Sequence, residues 1–242
     1  MMIGYLRLEL IRTARDGGYV IFGVAMPVIM YLIFTGLGLV PGDRRDAVIA
    51  VMVNMAAYGA LGSAFTNASG LAEDRAAGWL RQLRLTPLLP RQVVAGKVAA
   101  GMAVTVPAIG AVLLTGALVD DVSLAAGRWL ALVALLWAGA APFALFGLAN
   151  GYLLSGQATA LANTAIMLGL SIIGGLWVPV GTFPGWLRAI AEWTPSYGYA
   201  SLARQAAFGE LPGLRELAVL LAWLAVFGLF AGYGYRRAGR TV

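Results

Sequence analysis

Apolar residues run uninterrupted by Asp, Glu, Lys or Arg through 17–42, 47–72, 98–119, 129–187 and 217–235, stretches of 26, 26, 22, 59 and 19 residues. A helix needs about 20 apolar residues to cross the hydrocarbon core of a bilayer. A charge at its centre costs roughly 2.5–3.5 kcal/mol even on lenient insertion scales. Four stretches therefore hold one crossing each, and the 59-residue run holds two. The pattern predicts a single all-α integral membrane domain over 1–242, with spans at about 19–39, 47–71, 93–118, 129–154, 158–178 and 217–235. Pro27, Pro107 and Pro142 fall inside spans and predict kinks. The first run is too long for a signal-peptide core and reads as a retained span.

Three segments between or before the spans have a helical period of their own. Ile3, Leu6 and Leu10 share a face and suggest an N-terminal interfacial helix, although Leu8 and Ile11 blur it. Ala76, Trp79, Leu80 and Leu83 recur at i, i+3, i+4 and i+7, opposite Arg75, Arg81, Gln82 and Arg84. Glu73 and Asp74 suit the first turn of that amphipathic helix, and Pro87 and Pro90 end it. Periodicity alone leaves two roles open here: a docking element for a partner, or a basic loop resting on anionic headgroups. In 181–212, Phe183, Trp186, Leu187, Ile190 and Trp193 line one face. They predict an external helix that lies in or dips into the interface, or simply an aromatic belt. A break is expected at Pro195-Ser196-Tyr197-Gly198-Tyr199, then a short helix over 202–208.

Composition sharpens this. The chain is 60% hydrophobic and 12% charged, and its mean hydropathy is +0.82; a soluble domain carries about 25% charge. The net charge of +6 is an orientation signal rather than a nucleic-acid footprint. With six crossings, eleven basic residues fall on one side and six on the other (Arg44, Arg45, Arg128, Arg188, Arg204 and Arg215), which places both termini in the cytoplasm. Sixteen Arg against one Lys, with abundant Ala and Gly, suggests a GC-rich bacterial genome.

There is no Cys and no His, so no disulfide, thiolate metal site or imidazole proton shuttle is available. Proton-coupled transport would need an acid or His within the bundle; the one ionisable group near a span is Lys97, at a boundary where its stem can snorkel. Asp120-Asp121 reads as a solvated turn. The only lysine lies in Gly96-Lys97-Val98, so there is no Gly-Lys-Ser/Thr phosphate loop. Energy for uphill movement has to arrive from another subunit.

At the two loop segments the chain resembles the permeases of ATP-binding cassette type-2 (ABC-2) exporters, close to the drug-efflux subgroup typified by daunorubicin exporters. The resemblance rests on Glu73-Asp74-Arg75, Gly78, Leu80-Arg81-Gln82-Leu83-Arg84, Thr86-Pro87-Leu88 and Gly96-Lys97 after the second span. It rests equally on Phe183-Pro184-Gly185-Trp186-Leu187, Thr194-Pro195-Ser196-Tyr197-Gly198-Tyr199 and Arg204 after the fifth. It covers nearly the whole chain in span count and order. One departure is Ala77-Gly78-Trp79-Leu80, where the family has Glu-Gly-Thr-Leu.

The resemblance implies a half-transporter with a type-2 ABC exporter fold in a bacterial cell membrane, not an enzyme. Two copies of a cytosolic ATPase subunit would hold ATP and Mg, and this chain would bind no cofactor. A second permease copy would complete it, a homodimer in preference to a heterodimer. Glu73, Asp74, Arg75, Gly78, Trp79, Leu80, Arg81, Leu83 and Arg84 would form the coupling helix. The second and fifth spans would face the dimer axis, making Asn54, Tyr58, Phe65, Asn67, Asn163 and Trp177 candidates for the path of a hydrophobic, antibiotic-like substrate. Any one of those asparagines could instead serve as an interhelical hydrogen bond. Phe183, Trp186, Trp193 and Tyr197 would belong to the external helices. The rival readings are export of a lipid-linked or polysaccharide substrate, and a non-transporting scaffold or immunity protein.

Overall fold

The computed structural model describes residues 17, 19–38, 43–76 and 90–238, with the side chains of 22, 66–76, 90–97 and 238 outside the description. Among the described residues the protein is all helical, and six helical stretches are long and apolar enough to cross a membrane. The first span, Tyr19–Gly36, begins as a π-helix (Tyr19–Ala25) and continues as α1 (Met26–Gly36). Pro27 sits in the first turn of α1; with no N–H to return to the preceding turn, it marks the change of helix type. The second span is α2 (Arg44–Ala76) and the third α3 (Pro90–Val119).

The fourth span is two half-helices, α4 (Ala126–Gly139) and α5 (Ala141–Leu153), meeting at Ala140 just before Pro142. The fifth is α6 (Gly156–Ile173). After a 3-10 turn at Val180–Thr182 come two shorter helices, α7 (Gly185–Ala191) and α8 (Pro195–Phe208). The sixth span is α9 (Leu214–Ala238).

The second span is the hub. Of the 18 consecutive apolar-rich residues within its Arg44–Phe65 stretch 83% are buried, against 22–44% in the corresponding parts of the other spans. Its residues explain why: Ala56, Ala57, Gly59, Ala60, Gly62, Ser63 and Ala64 carry almost no side chain. Small residues let helix backbones approach closely where lipid supplies no hydrophobic drive between helices. A Cβ on Gly59 would meet the Gly23 carbonyl at 3.0 Å and Pro27 at 3.1 Å. Around α2 pack the first span, α3, α5, α6 and α8, while α9 lies along α5. Large apolar side chains such as Leu114, Leu118, Leu130, Leu161 and Leu229 point outward. In water that surface would be a liability; in acyl chains it is the solvated face.

Several polar side chains inside the bundle donate to backbone carbonyls. Thr105 (2.7 Å) and the Trp137 indole (3.1 Å) both donate to the Met102 carbonyl, and Tyr19 donates to that of Val104 (2.9 Å). Both acceptors lie in the turn preceding Pro107, which cannot donate back into it. Pro107 itself lies within the continuous helix α3.

Two expectations need correction. Asp120 is more than solvated punctuation: its carboxylate accepts from the Tyr31 hydroxyl at 2.5 Å and ties the first span to the end of α3. Asp121 then turns the chain at φ 49°, a left-handed conformation that Asp tolerates better than most side chains. Residues 195–199 are not a break either, because they open α8. Thr194 Oγ1 accepts from the Tyr197 N–H at 3.3 Å with Pro195 in the first turn, so Thr-Pro acts as a helix start. The interruption falls instead at Glu192-Trp193-Thr194.

Candidate functional site

Residues 37–38 and 43–46, 120–125 and 174–213 gather at one end of the bundle, where helix α8 folds back toward the second span. Helix α8 is not a surface helix. Pro195, Ser196, Gly198, Tyr199, Ala200, Ser201, Leu202, Ala203 and Ala207 are all buried. Two close approaches seat it. Tyr199 lays its ring on Gly139 and against Phe143 (5.6 Å between centroids), and its hydroxyl donates to the Leu136 carbonyl at 2.6 Å. That carbonyl is available because Ala140 N–H bonds to Trp137 at the junction of the two half-helices rather than back to Leu136. Burial pushes the Tyr199 phenol well above its ordinary range, so it stays a donor. Ser196 likewise donates to the Leu170 carbonyl at 2.7 Å, beside Gly174, which leaves room for it.

Helix α7 has a different character. Trp186, Ile190 and Trp193 are 69%, 53% and 63% exposed, as suits an interfacial face. Glu192 joins it to α9, accepting from Arg215 at 2.8 Å and Arg188 at 3.2 Å. Those two partners, Arg215 first, hold its carboxyl below the usual carboxylate value. Phe183 precedes α7 and Trp193 follows it, whereas Tyr197 belongs to the first turn of α8.

Between α2, the 174–182 turn and α8 lies a cavity of about 470 Å³. Gly175 makes the turn possible at φ +77°, and the turn carries Trp177 into the cavity wall. Trp177 is therefore off the fifth span, which ends at Ile173. Its ring packs edge-on against Tyr58 at 5.5 Å. Asn54 lies one turn before Tyr58, donating to the Gly175 carbonyl at 3.3 Å and accepting from Arg204 at 2.7 Å. Asn54, Trp177, Tyr197 and Arg204 thus share one cavity.

The remaining path candidates lie elsewhere. Phe65 is buried edge-on to Phe146 at 5.9 Å. Asn163 accepts from Asn150 at 2.7 Å and donates to the Phe65 carbonyl at 3.2 Å, clamping α5, α6 and α2 together. Asn163→Leu should cost about 0.6–1.7 kcal/mol, the span for interhelical hydrogen bonds in membranes, read as a shift in detergent-unfolding midpoint. Asn67, Glu73, Asp74 and Arg75 belong to α2 but their side chains lie outside the description; Gly78, Trp79, Leu80, Arg81, Leu83 and Arg84 lie outside the described residues altogether.

Arg204 is the residue that sequence reasoning undervalued. Counted as an external loop charge, it sits in the cavity wall, where burial lowers its pKa from the ordinary value. The signal was its spacing: Tyr197 and Arg204 are seven residues apart, two turns along one face of α8.

A bundle of six spans with a mid-loop helix folded back into it contains no cluster of His, Cys, Asp or Glu that could hold a metal among the described residues. The chain is 26% identical over 232 residues to a Bacillus subtilis (strain 168) protein named "Putative transport permease YvfS", covering 95% of this chain and 94% of that one. Residues 5–208, which take in the first five spans, the cavity and α8, match the ABC-2 type transporter family. The chain is a multi-pass membrane protein and belongs to the ABC-2 type transporter family of transport permeases.

Proposed function

We propose that this chain is the membrane subunit of an ATP-driven exporter for hydrophobic or amphiphilic, antibiotic-like compounds, worked by separate cytosolic ATPase subunits. The observation that carries the reading is the six-span bundle of a transporter family whose charge-free spans hold no acid or His to couple transport to protons. Two ATPase copies would hold ATP and Mg, and a second permease copy, identical in preference to different, would complete the pathway. Both termini, with 73–86, face the cytoplasm on the charge asymmetry. ATP binding closes the ATPases, draws the two coupling segments together and shifts the spans as rigid bodies at the dimer axis. Substrate leaves past Asn54, Tyr58 and Trp177 toward the external helices. Phe65 and Asn67 belong to the inner part of the same route, and Asn163 holds the helices around it together.

The test is co-purification of the tagged permease with its ATPase, read as bound ATPase and vanadate-sensitive hydrolysis. Trp79→Ala with Arg81→Ala should weaken association by about 2 kcal/mol, roughly 30-fold, as for a central aromatic or Arg anchor of an interface. Unchanged association and hydrolysis would remove the coupling assignment and favour a non-transporting scaffold.

A further inference from the structure

The cavity beside Asn54 has an imbalance of donors over acceptors. Arg204 carries five N–H donors and no acceptor. One of them reaches Asn54 Oδ1 at 2.7 Å, a neutral partner that offsets no charge. Among the described residues the ion pairs are those of Glu192 with Arg188 and Arg215, so no carboxylate is paired with Arg204. The Trp177 indole N–H is a second donor, buried and without an acceptor among the described residues. Asn54 does not serve it: its amide group donates to Gly175 and its oxygen accepts from Arg204.

A cation at the wall of a void, bonded only to a neutral amide, costs free energy unless something of opposite charge accepts from it. The wall also carries Thr182, Tyr197 and Arg188, the last already paired with Glu192, and its apolar part includes Phe34, Met55 and Leu176. At about 470 Å³ the space far exceeds a lone carboxylate or phosphate and falls in the range of roughly 300–1,000 Å³ typical of small-molecule sites.

We infer that this cavity binds the anionic head of an amphiphile, a carboxylate or phosphate joined to an apolar body. Arg204 holds the head beside the Trp177 ring, and Phe34, Met55 and Leu176 cover the body. The inference deepens the exporter reading and rests on it only in treating the bound molecule as cargo. The ligand could be an amphiphilic acid partitioned into the membrane or an anionic phospholipid; the chemistry recognised is the same, and two arms of one experiment separate them.

The full-length chain is placed in phosphatidylcholine nanodiscs in alkaline buffer and its tryptophan fluorescence followed. One arm titrates dibromostearate against its uncharged methyl ester; the other replaces part of the lipid with brominated phosphatidylglycerol. Expected is saturable quenching by the acid, by the phosphatidylglycerol, or by both, each naming its source. Trp177→Phe should remove that component. Arg204→Gln should weaken it about 10–100-fold, the scale of a charge-assisted hydrogen bond, and Arg204→Lys should keep most of it.

Equal quenching by acid and ester with no response to brominated phosphatidylglycerol overturns the inference. So does an Arg204→Gln protein that binds the anions as well as the wild type, which would leave Arg204 only the task of pinning α8 to α2. Should Arg204→Gln aggregate on size exclusion, the acid–ester comparison in the wild type decides. No ATPase takes part, so failure here leaves the exporter reading standing, and failure of coupling leaves the binding site standing.

Discussion

Gly139→Ala should lower the unfolding free energy by about 2–5 kcal/mol, the sum of overpacking at a rigid contact and a lost buried hydrogen bond. The added methyl would sit 2.6 Å from Tyr199 Cε2 and closer still to Cδ2. The ring cannot swing clear, since it is fully buried, packed on Phe143 and held by its hydroxyl on the Leu136 carbonyl. Relieving the clash therefore breaks that bond and leaves a carbonyl of the interrupted fourth span unpaired in hydrocarbon, where no water can replace the donor. Tyr199→Phe removes the hydroxyl alone and should cost about 1–3 kcal/mol. Equilibrium unfolding in mixed micelles of increasing dodecyl sulfate measures both. Combining Gly139→Ala with Tyr199→Ala should cost less than the two singles added together, because the clash disappears with the ring. Strict additivity would mean that α8 does not rest on the fourth span at this point.

The second large effect belongs to the turn that shapes the cavity. Gly175→Ala should cost about 2–4 kcal/mol, combining a left-handed conformation imposed on Ala with a clash. Gly175 has φ +77°, and a Cβ there would lie inside van der Waals contact of Val180 Cγ2, a buried side chain of the 3-10 turn. The turn presents its carbonyl to Asn54 and carries Trp177 against Tyr58. Its rearrangement should therefore blue- or red-shift the Trp177 emission and lower export together with stability. A methyl added at Gly181, in the same loop, would meet nothing within 4 Å, so Gly181→Ala should stay within about 0.5 kcal/mol of the wild type. Equal effects at the two glycines would mean that loop flexibility, not the conformation of Gly175, matters.

Much of the architecture was legible in the order of residues alone. Six crossings followed from where Asp, Glu, Lys and Arg are missing, since the bilayer penalises each charge locally and nearly independently of the rest of the fold. The motif residues after the second and fifth spans pointed to the family that residues 5–208 match. Less legible was the loop before the sixth span. An aromatic i, i+3, i+4, i+7 pattern suggested one helix through Trp193, yet the chain turns at Glu192 and restarts at Pro195. Helical period cannot distinguish a proline that breaks a helix from one that opens it, and here the Thr194 cap decides.

The candidate site shows the same division. Asn54, Tyr58 and Trp177 could be picked out as polar or aromatic members of apolar stretches, but nothing in their spacing said that Asn54 would meet Gly175 and Arg204, which lie 121 and 150 residues away along the chain. Asn163 could be named but not assigned, since an amide in a span reads the same whether it faces a path or, as its bonds to Asn150 and Phe65 have it, another helix.

By itself, the sequence determined that this chain lives in a membrane, how many times it crosses, and the family whose motifs its loops carry. Those properties are sums over neighbouring residues, each weighed against lipid or water one at a time. Only the tertiary structure decided that Arg204 lies in a buried wall rather than on an exposed loop, that Tyr199 completes the broken fourth span, and that Trp177 leaves its helix to line a cavity. Such pairings depend on which distant surfaces come within a few ångströms, and that is set by close packing of the whole bundle rather than by any local pattern.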